Sequence, residues 1–167
     1  MMKVDINALI EPQKSAAGFS LGLTLSEFYN GLNLTDVKKW LITDGIPLHD
    51  AIQKNDKWLC VPAREISEGR IEGEIWFYSK GMIELHFNHL GFLFNISIFN
   101  GYKGKLINCI YIGMPFLELK NLCNPIFNEH EDIYIVEDND TFSGIGFCID
   151  ESADISYLSG IFVFRIV

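Results

Sequence analysis

The strongest periodicity in the chain lies between residues 74 and 99. Ile83, Leu85 and Phe87 alternate with Glu84, His86 and Asn88, the period of a strand with one buried and one wet face. The runs EIWFYS (74–79) and FLFNISIF (92–99) on either side are rich in aromatic and β-branched residues. Turns at Lys80-Gly81 and at 89–91 separate the three. This stretch predicts an antiparallel meander.

A second pattern, a strand end, a glycine turn and the opening of a helix, occurs twice. It is INCIYIGMPFLELKNL at 107–122 and GFSLGLTLSEFYNGL at 18–32. Aligning Gly22 with Gly113 pairs Leu21 with Ile112, Leu23 with Met114, Leu25 with Phe116, Glu27 with Glu118 and Phe28 with Leu119, an offset of 91 residues. Thr24 or Ser26 caps the first helix, which starts near Leu25 and stops near Gly31. A further cap signal at Thr35-Asp36, with Val37, Trp40 and Leu41 at helical spacing, predicts a second helix. Residues 45–70, with Pro47, Pro62 and several charges, read as an insertion that the second copy lacks.

The second copy is expected to run as a strand over 106–112, a helix over 116–122, and strands over 132–136, 144–149 and 159–166. The predicted fold class is α+β: two β-α-β-β-β repeats with antiparallel meander sheets and short helices packed on them. They form a single domain, 1–167, with repeats at about 15–100 and 101–167. The last strand should belong to the sheet, so that truncating it unfolds the protein. Residues 3–10 form a first strand or a loose arm.

With 167 residues, 49% of them hydrophobic and 13 of them phenylalanine, the chain has enough apolar side chains for an aromatic core without staples. Cys60, Cys109, Cys123 and Cys148 include no CxxC pair and sit mostly in apolar runs, so they are expected to be reduced and buried. Asp5 and Glu11 interrupt the apolar core that a signal peptide needs, and no apolar run reaches membrane-spanning length. The expected location is the cytoplasm.

Twenty-two acidic against 13 basic side chains give a formal charge of −9. That argues against a phosphate-backbone ligand and for a cationic partner. Residues 101–167 hold four basic and ten acidic groups, a net of −6, and residues 1–100 only −3.

Candidate chemistry is sparse. His86 and His89, three apart on a strand, point to opposite faces and do not make a metal pair. The acidic 137–140 stretch lacks the glycine and closing glutamate of a calcium loop. Gly18–Gly22 and Gly101–Gly104 lack phosphate-loop spacing, and Ser143-Gly144-Ile145-Gly146 lacks the leading GxS of a nucleophile elbow. No catalytic residue, metal or cofactor is assigned. Two kinds of surface chemistry remain. One is the acidic set of the second half, either a solvated turn or a face for a basic partner. The other is a group of aromatics, Trp58 in the insertion and Trp76 with Tyr78 on one strand face, either covered on both sides or open to a partner.

The run GYKGKLINCIYIGMPFLELKNL, followed by the acidic EHEDIYIVEDND, then SGIGFCID and ISYLSGIFVF, resembles small immunity proteins encoded beside bacterial polymorphic toxins, notably those of contact-dependent growth inhibition systems. The two-repeat plan is similar to the arrangement of β-lactamase inhibitor protein. The resemblance covers about 18–32 and 73–167. It implies a cytoplasmic protein that binds the C-terminal domain of its cognate toxin and blocks the active site. Many such toxins are nucleases with basic surfaces.

The leading expectation is therefore an inhibitor rather than an enzyme, with no nucleic acid or membrane partner. Glu129, Glu131, Asp132, Glu137, Asp138, Asp140 and Asp154 would steer the toxin, and Trp76 and Tyr78 would anchor it. A small-ligand or lipid-binding α+β domain with an aromatic-lined cavity is the alternative. A hydrolase would need two carboxylates converging in a cleft.

Overall fold

The computed structural model describes all residues except Met1, Met2, Glu68, Gly69, Asp138, Ala153 and Val167, and gives the backbone alone for Leu34, 65–67 and 70–72. The chain begins with an arm bonded to the loop at 101–106: Lys103 and Gly104 donate their N–H groups to the Ile6 carbonyl, and Ile10 donates to Lys105. Tyr102 ties this junction together. Its hydroxyl donates to the Ala8 carbonyl at 2.7 Å and accepts from the Ala17 N–H at 3.0 Å.

A small hairpin of β1 (Ser15–Ala16) and β2 (Phe19–Ser20) precedes α1 (Leu25–Gly31). That helix starts where a capping box forms. The Thr24 hydroxyl accepts from the Glu27 N–H, and the Glu27 carboxylate accepts from the Thr24 N–H. Next come β3 (Val37–Lys39), α2 (Leu48–Gln53) and β4 (Trp58–Val61), and a separate hairpin of β5 (Arg64–Ser67) and β6 (Arg70–Glu72). The meander is β7 (Ile75–Tyr78), β8 (Ile83–Phe87) and β9 (Leu93–Phe99). The second half holds α3 (Phe116–Cys123), β10 (Ile126–Asn128), β11 (Ile133–Ile135), β12 (Ile145–Asp150) and β13 (Tyr157–Phe164).

One nine-stranded sheet runs in the order β10-β11-β12-β13-β9-β8-β7-β4-β3, antiparallel throughout except where β3 meets β4. This is an α+β fold. Its two halves join at the β13–β9 ladder, where Phe162 faces Ser97. The turn before α1 is bonded to the entry of β9 by Gly22 N–H to Leu93 O (2.7 Å) and Leu93 N–H to Leu23 O (2.9 Å). The turn before α3 is bonded to the entry of β13 by Gly113 N–H to Leu158 O (2.7 Å) and Leu158 N–H to Met114 O (2.8 Å). Both glycines are left-handed, at φ 88° and 91°, a conformation that costs a residue with a Cβ.

Alternation along the strands sends Trp58, Cys60, Trp76, Ile83, Leu85, Phe87, Ile96, Ile98, Phe147, Ile161 and Val163 to one face, into a single core with Phe28 of α1 and Phe116 and Leu119 of α3. Phe28 sits among rings: Trp76 at 5.0 Å, Phe87 at 5.3 Å and Trp58 at 5.4 Å. On the other face Leu59, Val61 and Phe77 form a second, smaller cluster with Trp40, Leu48, Ala51, Ile52 and Ile75.

Four expectations are corrected. Residues 37–39 are a strand, not part of a helix. The Trp40 N–H bonds to the Cys60 carbonyl, and pairing with the buried β4 outweighs the helical spacing. The region 45–70, read as an insertion carrying an open Trp58, supplies β4 to the sheet and buries Trp58 in the core. Residues 106–112 form turns around a Leu106–Ile110 bridge instead of a strand, with Ile107 and Asn108 both left-handed. The first half contributes five strands to the sheet and the second half four, because β3 and β4 extend one meander and β10 the other. Of the cysteines, Cys60 and Cys123 are buried, Cys148 is half-buried and Cys109 is exposed.

Candidate functional site

The second half is a meander, so its connections alternate between the two ends of the sheet. The 129–132 turn and the 151–156 loop lie at one end, and the 136–144 loop lies at the other. This divides the acidic set. Glu129, Glu131, Asp132 and Asp154 share one end with Asp150 and Glu151, while Glu137 and Asp140 stand at the opposite end. Asp138 lies outside the described residues.

The first turn is shaped by Asn128, whose side-chain oxygen accepts from the N–H groups of His130 (3.0 Å) and Glu131 (3.4 Å), and by Asp132, left-handed at φ 55°. The facing loop is shaped by Asp150, which accepts from the Ser152 N–H (2.9 Å) and from the Tyr157 hydroxyl (2.8 Å). The hydrogen bonds from Ser152, and then that from Tyr157, hold the Asp150 carboxyl below its ordinary pKa; the same bond raises the phenol of Tyr157.

Between these two loops lies a cleft of about 490 Å³ lined by Phe127, Asp132, Tyr134, Phe147, Ile149 and Glu151. Its floor is aromatic because β10 and β11 pair Phe127 directly with Tyr134, their rings 5.2 Å apart. Tyr134 also meets Phe116 edge-on at 4.9 Å, and Lys120 Nζ lies 4.4 Å over the Phe116 ring. The Tyr134 hydroxyl donates to Glu151 at 3.1 Å, and burial, then this carboxylate, raises its pKa. Phe127 is 48% exposed, a large ring left in solvent beside carboxylates.

These acids are not neutralised internally. The ion pairs Lys14–Glu11, Lys57–Asp36 and Lys80–Asp56 all use first-half carboxylates, and among the described residues none uses an acid between 129 and 154.

The structure does not place the two aromatic candidates beside the acids. Trp76 is 0% exposed and Tyr78 half-buried, both turned into the core, where Tyr78 meets Trp58 at a tilt, the ring centroids 4.9 Å apart. The strand face carrying them is roofed by α1, so Trp76 is no surface anchor. The aromatics that do stand with the acids are Phe127 and Tyr134. Their signal in the sequence is the hairpin itself: FNEHEDIY puts an aromatic on each arm of an acidic turn.

Among the described residues no group of three or more His, Cys, Asp or Glu is arranged to hold a metal ion, and no helix is long and apolar enough to cross a membrane. No protein-family model, curated protein or solved structure matches the chain.

Proposed function

We propose that this protein is a binder, not an enzyme: a cytoplasmic immunity protein that neutralises a cationic toxin domain, a nuclease of the contact-dependent growth inhibition type. The observation that carries this is that Glu129, Glu131, Asp132, Glu151 and Asp154 share one end of the sheet, where Asp132 and Glu151 line an aromatic-floored cleft, without ion pairs among the described residues. Unneutralised acids speed the encounter with a basic surface, and an exposed ring beside them receives the apolar stem of a lysine or arginine. The helix–sheet interior that a lipid would occupy is filled by Phe28, Trp58, Trp76 and Phe87, which favours a surface function over a ligand-storing one.

We also read the fold as two copies of one unit, a glycine turn, a helix and a four-stranded meander, meeting at β9 and β13. The support is the matching set of turn-to-strand bonds at Gly22–Leu93 and Gly113–Leu158. The test of function is co-expression with the reading frame immediately upstream of the gene. A 1:1 complex that weakens with salt and restores growth is the expected result. A toxic neighbour that neither binds at low salt nor is neutralised would remove the proposal.

A further inference from the structure

At the other end of the sheet order, far along the chain from the acidic loops, β3 and the segment around α2 enclose a cleft of about 210 Å³ lined by Lys38, Lys39, Trp40, Asp44, Lys54 and Asn55 among others. We propose that this cleft binds a small oxyanion, a phosphate or carboxylate group. This goes beyond the partner-binding function and does not depend on it.

Two independent features point to such a ligand. The first is Asn55, only 6% exposed, whose side-chain Nδ2 is buried without a hydrogen-bond partner. Its backbone is held on both sides, the N–H donating to the Ile52 carbonyl and the carbonyl accepting from the Lys80 N–H, which fixes where the side chain leaves the chain. A buried donor of this kind calls for an acceptor. The second is charge. In a protein of formal charge −9, this cleft has Lys38 and Lys54 in its lining, with Lys39 beside them on the other face of β3. Lys57 and Lys80 nearby are paired with Asp36 and Asp56, whereas Lys38, Lys39 and Lys54 have no ion-pair partner among the described residues.

Alternation along β3 puts Lys38 on the α2 side with Trp40, and Lys39 on the side of Cys60. Asp44 opposes an anion, but one of its oxygens is committed to capping the Leu41 N–H at 2.8 Å. Trp40 is held by its indole N–H on the Ile46 carbonyl at 2.9 Å, which makes it a fixed reporter on the cleft wall. Two lysines without ion-pair partners and an orphan amide donor are the chemistry of an oxyanion seat.

The test uses the full chain, isotope-labelled, titrated with inorganic phosphate and separately with acetate, against sodium chloride at matched ionic strength. The expected result is saturable movement of the Asn55 side-chain amide and Trp40 indole signals by an oxyanion and not by chloride. Stronger binding of phosphate identifies a phosphoryl source, and equal or stronger binding of acetate a carboxylate source. The double variant Lys38→Gln, Lys54→Gln keeps both side chains on the surface and is expected to weaken binding about tenfold or more. Asp44→Asn, which retains an oxygen for the Leu41 cap, is expected to tighten it. Signals that follow ionic strength alone, or an affinity unchanged in both variants, would overturn the proposal.

Discussion

Glu74 shows how a single residue is held, and what holding it costs. It stands beneath α1 and accepts from the indole N–H of Trp76 at 2.9 Å and the hydroxyl of Tyr29 at 3.0 Å, with the Cys60 thiol at 3.8 Å. Replacing it by alanine leaves the Trp76 and Tyr29 donors without their acceptor. Glu74→Ala is therefore expected to destabilise the protein by about 1–3 kcal/mol, seen in urea as a lower midpoint at unchanged slope. The same site predicts a pH dependence. Burial, and then the charge of Glu74, pushes the Cys60 thiol up from 9.0 to about 12, with Lys39 opposing. Burial and Glu74 raise the Tyr29 phenol as well. A group that holds its proton more tightly when folded stabilises the fold fully below its unfolded pKa, and that contribution is lost as pH rises toward the folded one. Stability should thus decline between pH 9 and 12, and Cys60→Ala should make the decline shallower in denaturation midpoints read across that range.

At the scale of elements, local signals set α1 and non-local pairing sets β3. The Thr24–Glu27 capping box is a two-sided exchange, so Thr24→Ala is expected to cost about 1 kcal/mol, measured as a fall in thermal midpoint of roughly 2–4 °C. The terminal strand β13 is in the middle of the sheet, between β12 and β9, and not at an edge. Deleting residues 157–167 removes the ladders that join the two halves, and the expected outcome is loss of cooperative unfolding and of dispersed amide signals. Two buried glycines make room for neighbouring side chains on the sheet face opposite the main core. A Cβ on Gly160 would come within 2.8 Å of the Phe99 ring, and one on Gly146 within 2.5 Å of Ile133. The rings and branched side chains of neighbouring strands lie across both positions.

For the whole molecule, the consequence of the meander is polarity: one end of the second half carries the unpaired acids with the cleft, the other carries Glu137 and Asp140. If the acidic end faces the toxin domain proposed as partner, reversing Glu129, Glu131 and Glu151 together to lysine should slow association at least about tenfold at low salt. Reversing Glu137 and Asp140 should change it less than about twofold. Stopped-flow association at two salt concentrations separates these outcomes, and equal effects from both ends would mean that the field of the whole chain acts rather than this face.

What the sequence determined by itself is what nearest neighbours determine. The period-two alternation of 83–87 and its flanking strands, an α1 cap at Thr24 or Ser26, the α3 start after Gly113-Met114-Pro115 and the excess of acid in the second half were all legible, because each rests on residues a few positions apart. So was the α+β class. Tertiary structure decided the rest. It turned Trp58, Trp76 and Tyr78 inward, since which face of β7 is roofed depends on where α1 lands, not on β7. It made a strand of 37–39 because β4 offered a buried edge. And it split six of the candidate acids between two ends and set Tyr134 against Glu151, because only the strand ladder says which loops meet.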